Sequence, residues 1–436
     1  MLTDSVRAVI KKMNKELGVD GKILLGSEVV DNDKYRLPTG VLTTDVITGG
    51  GIPMSGITEI FGAESSCKTA VALSTAACTQ SSGGLVVFGS AEGFGKNWAR
   101  RNGLFIPVNE EEKEEVVELV EAYETTVAFL LSLKFHAVRD SLTEEESYDW
   151  GTTIEFVEDL LNHDDPKGIM SALEEVGSVL KGSLLVVYHT HGDGLLRSLL
   201  DLMKTGEVDL VVIDSISVLK PQRLTDKAEI GDAEIGAHAF MTGQFVDRCY
   251  PIWNMGNAVG VIAINQVAAA WQLQKVTGDV KPRSGSKSLK HGKILSLFAK
   301  QGEVYDERLK DGTQNVYGIG SSLTRVKWKI SVPRIRKGPI KFFTADGRFE
   351  HRRTYAGMVD RSFDVFFWAR YAGMIEQRGA WYELIAGEFA GERWQGEARV
   401  LAALDDSPEL KYDLEAQVLE WVEKSKLTNY RVEDEE

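Results

Sequence analysis

Cysteine is scarce in this chain. Only Cys67, Cys78 and Cys249 occur among 436 residues, with no C-x-x-C pair and no pair of histidines beside them. These positions give no sign of a disulfide framework or a structural zinc site, because both need cysteines at recurring short spacings. Reduced thiols are typical of a cytosol-like compartment.

Long apolar runs are absent as well. No stretch reaches the roughly 18 residues that a membrane-spanning helix needs. The N-terminal sequence MLTDSVRAVIKKMNKELG has the spacing of an amphipathic helix and lacks the apolar core of a signal peptide. We therefore expect a soluble, cytoplasmic protein without a membrane partner.

Basic residues are outnumbered, with 50 Lys and Arg against 65 Asp and Glu. The acidic excess lies in residues 104–182, which hold 20 acidic and 5 basic residues. Elsewhere the charges balance, and residues 325–341 contain seven basic residues and no acidic one. Because local basic stretches attract phosphate backbones whatever the net charge, the composition is compatible with nucleic-acid binding.

Short apolar runs alternate with helical stretches from residue 57 onward. Runs so short, continuous and rich in Val and Ile predict strands buried on both faces of a parallel sheet, and hence an α/β fold. The runs are ITEIF (57–61), LVVF (85–88), LVVI (210–213) and VIAI (261–264). The residues after these runs that could take part in binding or catalysis are Gly62, Glu92, Asp214 and Gln266. Since ligands bind at the carboxyl ends of such strands, the pattern predicts one shared site.

The chain length predicts two or three domains. Residues 3–17 have an apolar helical face, so we assign residues 1–35 to an N-terminal helical arm. Residues 36–345 form the main domain, interrupted by the acidic, helix-predicted insertion at about 106–182. Residues 346–436 are assigned to a small α+β C-terminal domain with an acidic tail.

The sequence EIFGAESSCKTAVAL (59–73) matches the phosphate-binding pattern G-x-x-x-x-G-K-T, except that Cys67 replaces the second glycine. A loop of this kind between a strand and a helix binds phosphate through its backbone N–H groups and the helix N-terminus. Lys68 is predicted to reach the terminal phosphates of ATP, and Thr69 and Asp214 to hold Mg²⁺. The residues predicted to bind the cofactor in this loop are Gly62, Ala63, Glu64, Ser65, Ser66, Cys67, Lys68, Thr69 and Ala70.

Two further residues of the predicted site have open alternatives. Cys67 would cost little strain if it lay in the first helical turn, where Lys68 and the helix N-terminus favour a thiolate that nucleotide protects from alkylation. The alternative is a tolerated small residue with no redox role. Glu92 is placed to activate a water for attack on the γ-phosphate; the alternative is a solvated side chain in a glycine-rich turn.

The order of the motifs resembles the bacterial RecA recombinase family, including its phage members. The resemblance covers nearly the whole chain except the insertion. The motifs that carry it are LPTGVLTTDVITGGGIPMSGITEIFGAESSCKT, AEGFGKNWARRNG, VDLVVIDSISVLKP, AEIGDAEIGAHA, AINQV, SLKHGK, TRVKWK and GAWYELIAGE.

This resemblance implies a RecA-type P-loop ATPase core with a mostly parallel central sheet. It also implies a DNA-dependent ATPase that forms helical filaments on single-stranded DNA and exchanges strands with a homologous duplex, in recombination and repair. Partners would be single-stranded DNA, double-stranded DNA and further copies of the chain, with single-strand-binding and mediator proteins as candidates. The expected location is a bacterial or phage-infected cell.

The resemblance also assigns roles to residues of the predicted site. It implies that Lys68, Thr69 and Asp214 bind ATP and Mg²⁺ and that Glu92 activates water. Gln266 resembles the sensor of the γ-phosphate, and Trp98 the aromatic that stacks on adenine. Lys327 and Lys329 flank Trp328 and would share one side of a strand, from which the family's pair reaches the ATP of the adjoining subunit. A solvated strand face is the alternative for these lysines.

Two DNA-binding segments follow from the same resemblance. The first spans about 227–236, with Ile235 as its apolar tip beside Gly236. The second spans about 267–288, where Trp271 would wedge between bases, unless it folds back onto the core. The phosphate contacts of the second segment would come from Lys275, Lys281, Arg283 and Lys287.

The chain departs from the family pattern at several positions. Besides Cys67, Ser90 and Lys96 replace acidic residues, and Lys96 lies where the family often contacts the adenine of ATP. His291 replaces an aromatic residue. Two alternative functions remain open at this point: a hexameric helicase or related motor on the same core, and a DNA-coating protein that does not hydrolyse ATP.

Overall fold

The computed structural model describes a large part of the chain. The described residues are 4–17, 35–104, 106, 183–225, 236–267, 287–308, 314–329, 333–345, 347–349, 352–354 and 356–431. The predicted insertion, except Ile106, and most of the two predicted DNA-binding segments lie outside these residues.

The central sheet has eight strands within the described part of the chain, in the order β10-β9-β8-β3-β7-β6-β4-β5. The pairs from β8 to β5 are parallel, and only β8-β9 and β9-β10 are antiparallel. The prediction of a mostly parallel sheet is therefore confirmed. The strands of this sheet are β3 (Ser55–Gly62), β4 (Leu85–Ser90), β5 (Ser183–Val187), β6 (Val208–Asp214), β7 (Val259–Gln266), β8 (Lys293–Arg308), β9 (Gln314–Trp328) and β10 (Lys337–Phe343).

The remaining strands form small antiparallel sheets. They are β1 (Arg36–Leu37), β2 (Ile52–Pro53), β11 (Gly347–Phe349), β12 (Arg352–Thr354), β13 (Ile375–Arg378), β14 (Trp381–Leu384) and β15 (Arg393–Gln395). The helices of the described residues are α1 (Asp4–Leu17), α2 (Leu42–Thr48), α3 (Lys68–Ser81), α4 (Lys96–Arg101), α5 (Gly192–Met203), α6 (Gln222–Thr225), α7 (Ala237–Asn254), α8 (Lys287–Gly292), α9 (Arg361–Tyr371), α10 (Glu397–Asp406) and α11 (Pro408–Arg431).

Both faces of the central sheet are covered. Val211 and Val212 are neighbours on β6 and belong to different hydrophobic clusters, because successive side chains of a strand point to opposite faces. Val212 shares its cluster with Val71 of α3. Val211 shares the other with Leu199 of α5 and Phe245 of α7. Burial on both faces explains why the strands have continuous apolar runs rather than alternating ones.

The strand register brings the predicted site residues together. β3, β7, β6 and β4 are consecutive in the sheet. Gly62 is paired with Gln266 at the ends of β3 and β7, and Ser90 with Asp214 at the ends of β4 and β6. The four strand ends named by the sequence therefore lie side by side at one edge of the sheet.

The C-terminal region packs against α2 through buried polar contacts. Asp360 caps α9 by accepting from the backbone N–H of Phe363 at 3.0 Å. Asp364 and Trp368 of α9 both contact the Thr43 hydroxyl of α2, at 2.5 and 2.8 Å. The last helix, α11, spans Pro408–Arg431, and the proposed domain boundaries stay a prediction.

None of the described helices is both long and apolar enough to cross a membrane.

Candidate nucleotide-binding site

The loop between β3 and α3 has a backbone that few sequences can adopt. A Cβ on Gly62 would lie 2.1 Å from the Ala299 carbonyl oxygen and 2.7 Å from Ser66 Oγ, so only glycine fits there. Ser65 and Cys67 have φ angles of 54° and 64°, in the left-handed region. Helix α3 then begins at Lys68.

The side chain of Lys68 is enclosed by this loop. Its ammonium group donates to the carbonyl of Ala63 and lies 3.4 Å from Ser66 Oγ. Ser66 Oγ also donates to the Ala63 carbonyl at 2.7 Å. Burial lowers the pKa of Lys68. The loop thus holds a cation at the N-terminus of α3, and the Cys67 side chain does not cap that terminus, which leaves backbone N–H groups for an anion.

Thr69 and Asp214 meet although they belong to α3 and β6. Thr69 Oγ1 donates to Asp214 Oδ2 at 3.0 Å. Burial raises the pKa of Asp214 to about 6; the Thr69 hydroxyl acts in the opposite direction, and the charge of Glu92 adds to the rise. A hydroxyl and a carboxylate next to a phosphate-binding loop are the hard oxygen ligands that Mg²⁺ prefers, so the residues fit a magnesium–nucleotide complex.

Glu92 is exposed and is oriented by a residue that the sequence did not single out. Ser215 Oγ donates to Glu92 Oε1 at 2.5 Å, and it lies 2.9 Å from Ser217 Oγ. Ser215 follows Asp214 through a cis peptide bond. The only signal for Ser215 in the sequence was its place directly after the carboxylate at the end of β6.

The condition under which Cys67 would cost little strain, a place in the first helical turn, is not met. Cys67 is the N-cap residue of α3, and its φ and ψ angles of 64° and 16° lie in the left-handed region. The hypothesis of a Cys67 thiolate is not supported either. Burial raises the pKa of Cys67 to about 12, and the nearby Ser321 hydroxyl and Lys68 offset this only in part.

Gln266 is half-buried at the end of β7, next to the phosphate-binding loop. Its backbone N–H donates to Asn265 Oδ1 at 2.9 Å. Asn265 Nδ2 donates to Glu59 Oε1 at 3.0 Å, and Glu59 forms a buried ion pair with Lys293. A buried polar network of Asn265, Glu59 and Lys293 therefore holds the end of β7 that carries Gln266, the predicted sensor. The apolar run around Asn265 did not indicate this network.

Lys327 and Lys329 contact the same helix end, as expected for residues on one side of a strand. Their ammonium groups donate to the carbonyls of Lys290 and His291, in the last turn of α8. Cations in this position also complement the negative end of the helix dipole. Burial and the charge of Lys329 lower the pKa of Lys327. The role of the two lysines toward an adjoining subunit stays a prediction.

Trp98 lies on α4 with 40% of its surface exposed. Its indole N–H donates to the Gly357 carbonyl at 3.1 Å, which holds the ring beside the C-terminal region. Stacking on adenine stays a prediction. Of the two departures nearby, Lys96 begins α4, and Ser90 Oγ accepts from the Gly93 N–H at 3.1 Å in the turn before it.

The predicted DNA-binding residues are only partly described. Gly236 is the N-cap of α7, with a φ angle of 89°. Lys287 begins α8 as a backbone position. The other predicted DNA contacts lie outside the described residues; they are Ile235, Trp271, Lys275, Lys281 and Arg283.

Comparison with known proteins supports the resemblance read from the motifs. The family model for the RecA N-terminal domain matches residues 4–110. The Protein RecA of Thermotoga petrophila is 26% identical over 414 residues, which cover 94% of this chain and 89% of the relative. The Protein RecA of Ureaplasma parvum is 24% identical over 404 residues, covering 92% and 91%. That of Nocardioides sp. is 26% identical over 414 residues, covering 95% and 90%.

The mostly parallel sheet agrees with what the resemblance implied. The match of the N-terminal domain and the similarity along almost the whole chain are independent of that sheet. The N-terminal part of the chain is thus similar to the RecA N-terminal domain, and almost the whole chain is similar to RecA proteins.

Proposed function

We propose that the chain is an ATP-dependent DNA recombinase that assembles on single-stranded DNA and catalyses homologous pairing and strand exchange. The observation that carries the proposal is the hydrogen bond of 3.0 Å between Thr69 and Asp214, beside the enclosed Lys68. It joins the two halves of a magnesium–nucleotide site, which are far apart in the sequence. The similarity to RecA proteins over 94% of the chain supports the choice of DNA as the partner.

Each residue of the site has a role in this proposal. Lys68 and the N-terminus of α3 bind the terminal phosphates of ATP, and Thr69 and Asp214 hold the metal. Mg²⁺ supplies positive charge that offsets the charge developing on the phosphates. Glu92 orients and deprotonates the attacking water, and Ser215 keeps the Glu92 carboxylate in place through its bond of 2.5 Å.

Assembly and DNA binding rest on other parts of the chain. Helix α1 exposes Val6, Val9 and Met13, an apolar face suited to packing on a second copy. Lys327 and Lys329 would reach the ATP of the adjoining subunit. Segments 227–236 and 267–288 would hold the strand by backbone and stacking contacts, while base pairing supplies specificity.

The proposal is tested by electron microscopy together with a phosphate-release assay. The protein is imaged with single-stranded DNA and a slowly hydrolysed ATP analogue, and ATP hydrolysis is measured with and without the same DNA. Helical filaments and DNA-stimulated hydrolysis are expected. Closed rings would favour the helicase alternative. Filaments without phosphate release would favour a coating protein, and hydrolysis indifferent to DNA would contradict recombination.

A further inference from the structure

His238 makes a contact that no role described above accounts for. It is the second residue of α7, and its Nε2 lies 2.7 Å from the carbonyl oxygen of Ile216. Because a carbonyl only accepts, Nε2 carries a hydrogen and donates it. Ile216 is fully buried and lies between Ser215, which donates to Glu92, and Ser217, whose hydroxyl contacts that of Ser215.

The turn that contains Ile216 is bonded on two further sides. The Ile216 N–H donates to the Ile264 carbonyl of β7 at 2.9 Å, two residues before Gln266. The Ala91 N–H donates to the Asp214 carbonyl at 2.8 Å, immediately before Glu92. These bonds fix the backbone around Ser215, so the Ile216 carbonyl, the Ser215 hydroxyl and the Glu92 carboxylate belong to one short connected segment.

The other end of the contact belongs to a well-defined helix start. Gly236 caps α7 in a left-handed conformation, and its carbonyl accepts from the Phe240 N–H at 2.8 Å. The His238 carbonyl accepts from Thr242 Oγ1 at 3.0 Å. The imidazole thus connects the first turn of α7 to the turn after β6 without any other side chain between them.

We propose that His238 is a positioning residue for Glu92, through Ile216 and Ser215, and that it makes ATP hydrolysis depend on the placement of the first turn of α7. This inference rests on the proposed function, in which the segment ending at Gly236 contacts single-stranded DNA. DNA bound there would fix the first turn of α7. His238 would then hold Ser215 and Glu92 in the geometry that hydrolysis requires.

A structural role for His238 predicts a different result from a positioning role. If the contact only stabilised α7, its loss would lower the melting temperature and impair nucleotide binding, DNA binding and turnover together. A positioning role predicts a loss confined to turnover. Glutamine can replace the imidazole because its amide N–H reaches a carbonyl, whereas asparagine is one methylene shorter.

The experiment compares His238→Ala, His238→Gln and His238→Asn with the wild type, and with Thr242→Val as a control. Thr242→Val removes a hydrogen bond from the same turn of α7 and leaves the imidazole in place. The measurements are kcat and KM for ATP with and without single-stranded DNA, the affinity for that DNA, and the melting temperature.

We expect the DNA-stimulated kcat to fall about tenfold in His238→Ala and His238→Asn, with KM and DNA affinity within about twofold of wild type. His238→Gln and Thr242→Val should keep most of the stimulation. If His238→Ala does not fold, the comparison of His238→Gln with His238→Asn still tests the positioning role. Full stimulation in the Ala and Asn variants, or a joint loss of binding and stability that Gln does not restore, would overturn the inference alone. A wild-type ATPase that DNA does not stimulate would overturn the proposed function, and the inference with it.

Discussion

Thr69 and Asp214 are 145 positions apart in the sequence, and Thr69 Oγ1 donates to Asp214 Oδ2 across 3.0 Å. The bond links the first turn of α3 to the end of β6. It lies at the edge of the sheet where Gly62, Glu92 and Gln266 also lie. A metal-binding pair held in this way, with Asp214 largely withdrawn from water, has consequences for both activity and stability.

Asp214→Asn is expected to reduce ATP hydrolysis at least about 100-fold, because the metal loses a charged ligand. The same change should stabilise the nucleotide-free protein at pH 8 by about 1 kcal/mol. Burial raises the pKa of Asp214 to about 6 from 3.8, so its ionisation costs folding stability. The loss of folding stability caused by this ionisation is absent below pH 3.8, grows up to about pH 6 and is complete above that pH.

The measurement is thermal or denaturant unfolding of Asp214→Asn and wild type at pH 8 and pH 5, without nucleotide or metal. The gain in unfolding free energy of Asp214→Asn over the wild type should be larger at pH 8 than at pH 5. Thr69→Val, which removes the donated hydrogen bond and leaves the carboxylate, is the matched control and should not stabilise. A variant less stable than wild type at pH 8 would contradict the assignment.

The left-handed conformation of Cys67 predicts a ranking of two small substitutions. Cys67→Gly should be more stable than Cys67→Ala by about 1 kcal/mol, because alanine keeps the Cβ that a φ of 64° disfavours and glycine does not. Both variants lose the same buried thiol, so their difference reports the backbone conformation together with the one methyl group that alanine retains. Denaturant unfolding measures it. Equal stabilities would mean that the loop has relaxed out of this conformation.

The thiols of the native protein should be unreactive. Cys67, Cys78 and Cys249 are all buried. Burial raises the pKa of each thiol, in Cys67 to about 12, so very little thiolate exists at neutral pH. Alkylation at pH 7.5, followed by mass spectrometry, should give negligible labelling of Cys67 with or without ATP and full labelling after unfolding. Rapid labelling of Cys67 that ATP suppresses would restore the thiolate hypothesis.

Asp364 of α9 should stay protonated up to nearly neutral pH, where an ordinary aspartate is fully ionised. Its pKa is raised to about 7 by burial, and the geometry agrees. Thr43 Oγ1 lies 2.5 Å from both the Pro339 carbonyl and Asp364 Oδ1, and it accepts from the Trp368 indole N–H. Thr43 has only one hydrogen to donate. If that hydrogen goes to the carbonyl, Asp364 must donate the other bond as a carboxylic acid.

Stability should therefore fall as the pH rises from about 4 to about 7, since the unfolded chain ionises Asp364 first. Unfolding midpoints measured across this range test it. Asp364→Asn should weaken this dependence of stability on pH. A pH profile identical in wild type and Asp364→Asn would rule out the protonated form. Asp45 is buried as well and contributes in the same direction.

The sequence predicted the parts of the site that depend on local pattern. The apolar runs located β3, β4, β6 and β7, and the residues after them converge because the ends of parallel strands share an edge. The conformation of Cys67 was missed, because the pattern around it does not show where the loop ends and the helix begins. Its raised pKa was missed because the burial that causes it arises only in the folded protein, and even the Ser321 hydroxyl that partly offsets it lies on β9, more than 200 residues away.

Long-range polar contacts were the least accessible to sequence reasoning. Ser215 and Glu92 are 123 positions apart, and Thr43 and Asp364 are 321 apart. The contacts of Lys327 and Lys329 with α8 depend on how β8 pairs with β9, which brings Lys327 opposite Ser296. Neither residue composition nor periodicity carries information on such pairings.

Whether two subunits share each nucleotide site is tested most directly with a mixture of two inactive variants. The quantity measured is the rate of ATP hydrolysis. If each ATP lies between two subunits, Lys68→Ala removes the loop side of every site and Lys327→Ala the opposite side. Neither variant alone should hydrolyse ATP on single-stranded DNA. An equimolar mixture should recover about a quarter of the wild-type rate, because random assembly creates that share of intact sites. A mixture as inactive as its components, or a Lys327→Ala variant with full activity, would contradict a nucleotide site shared between subunits.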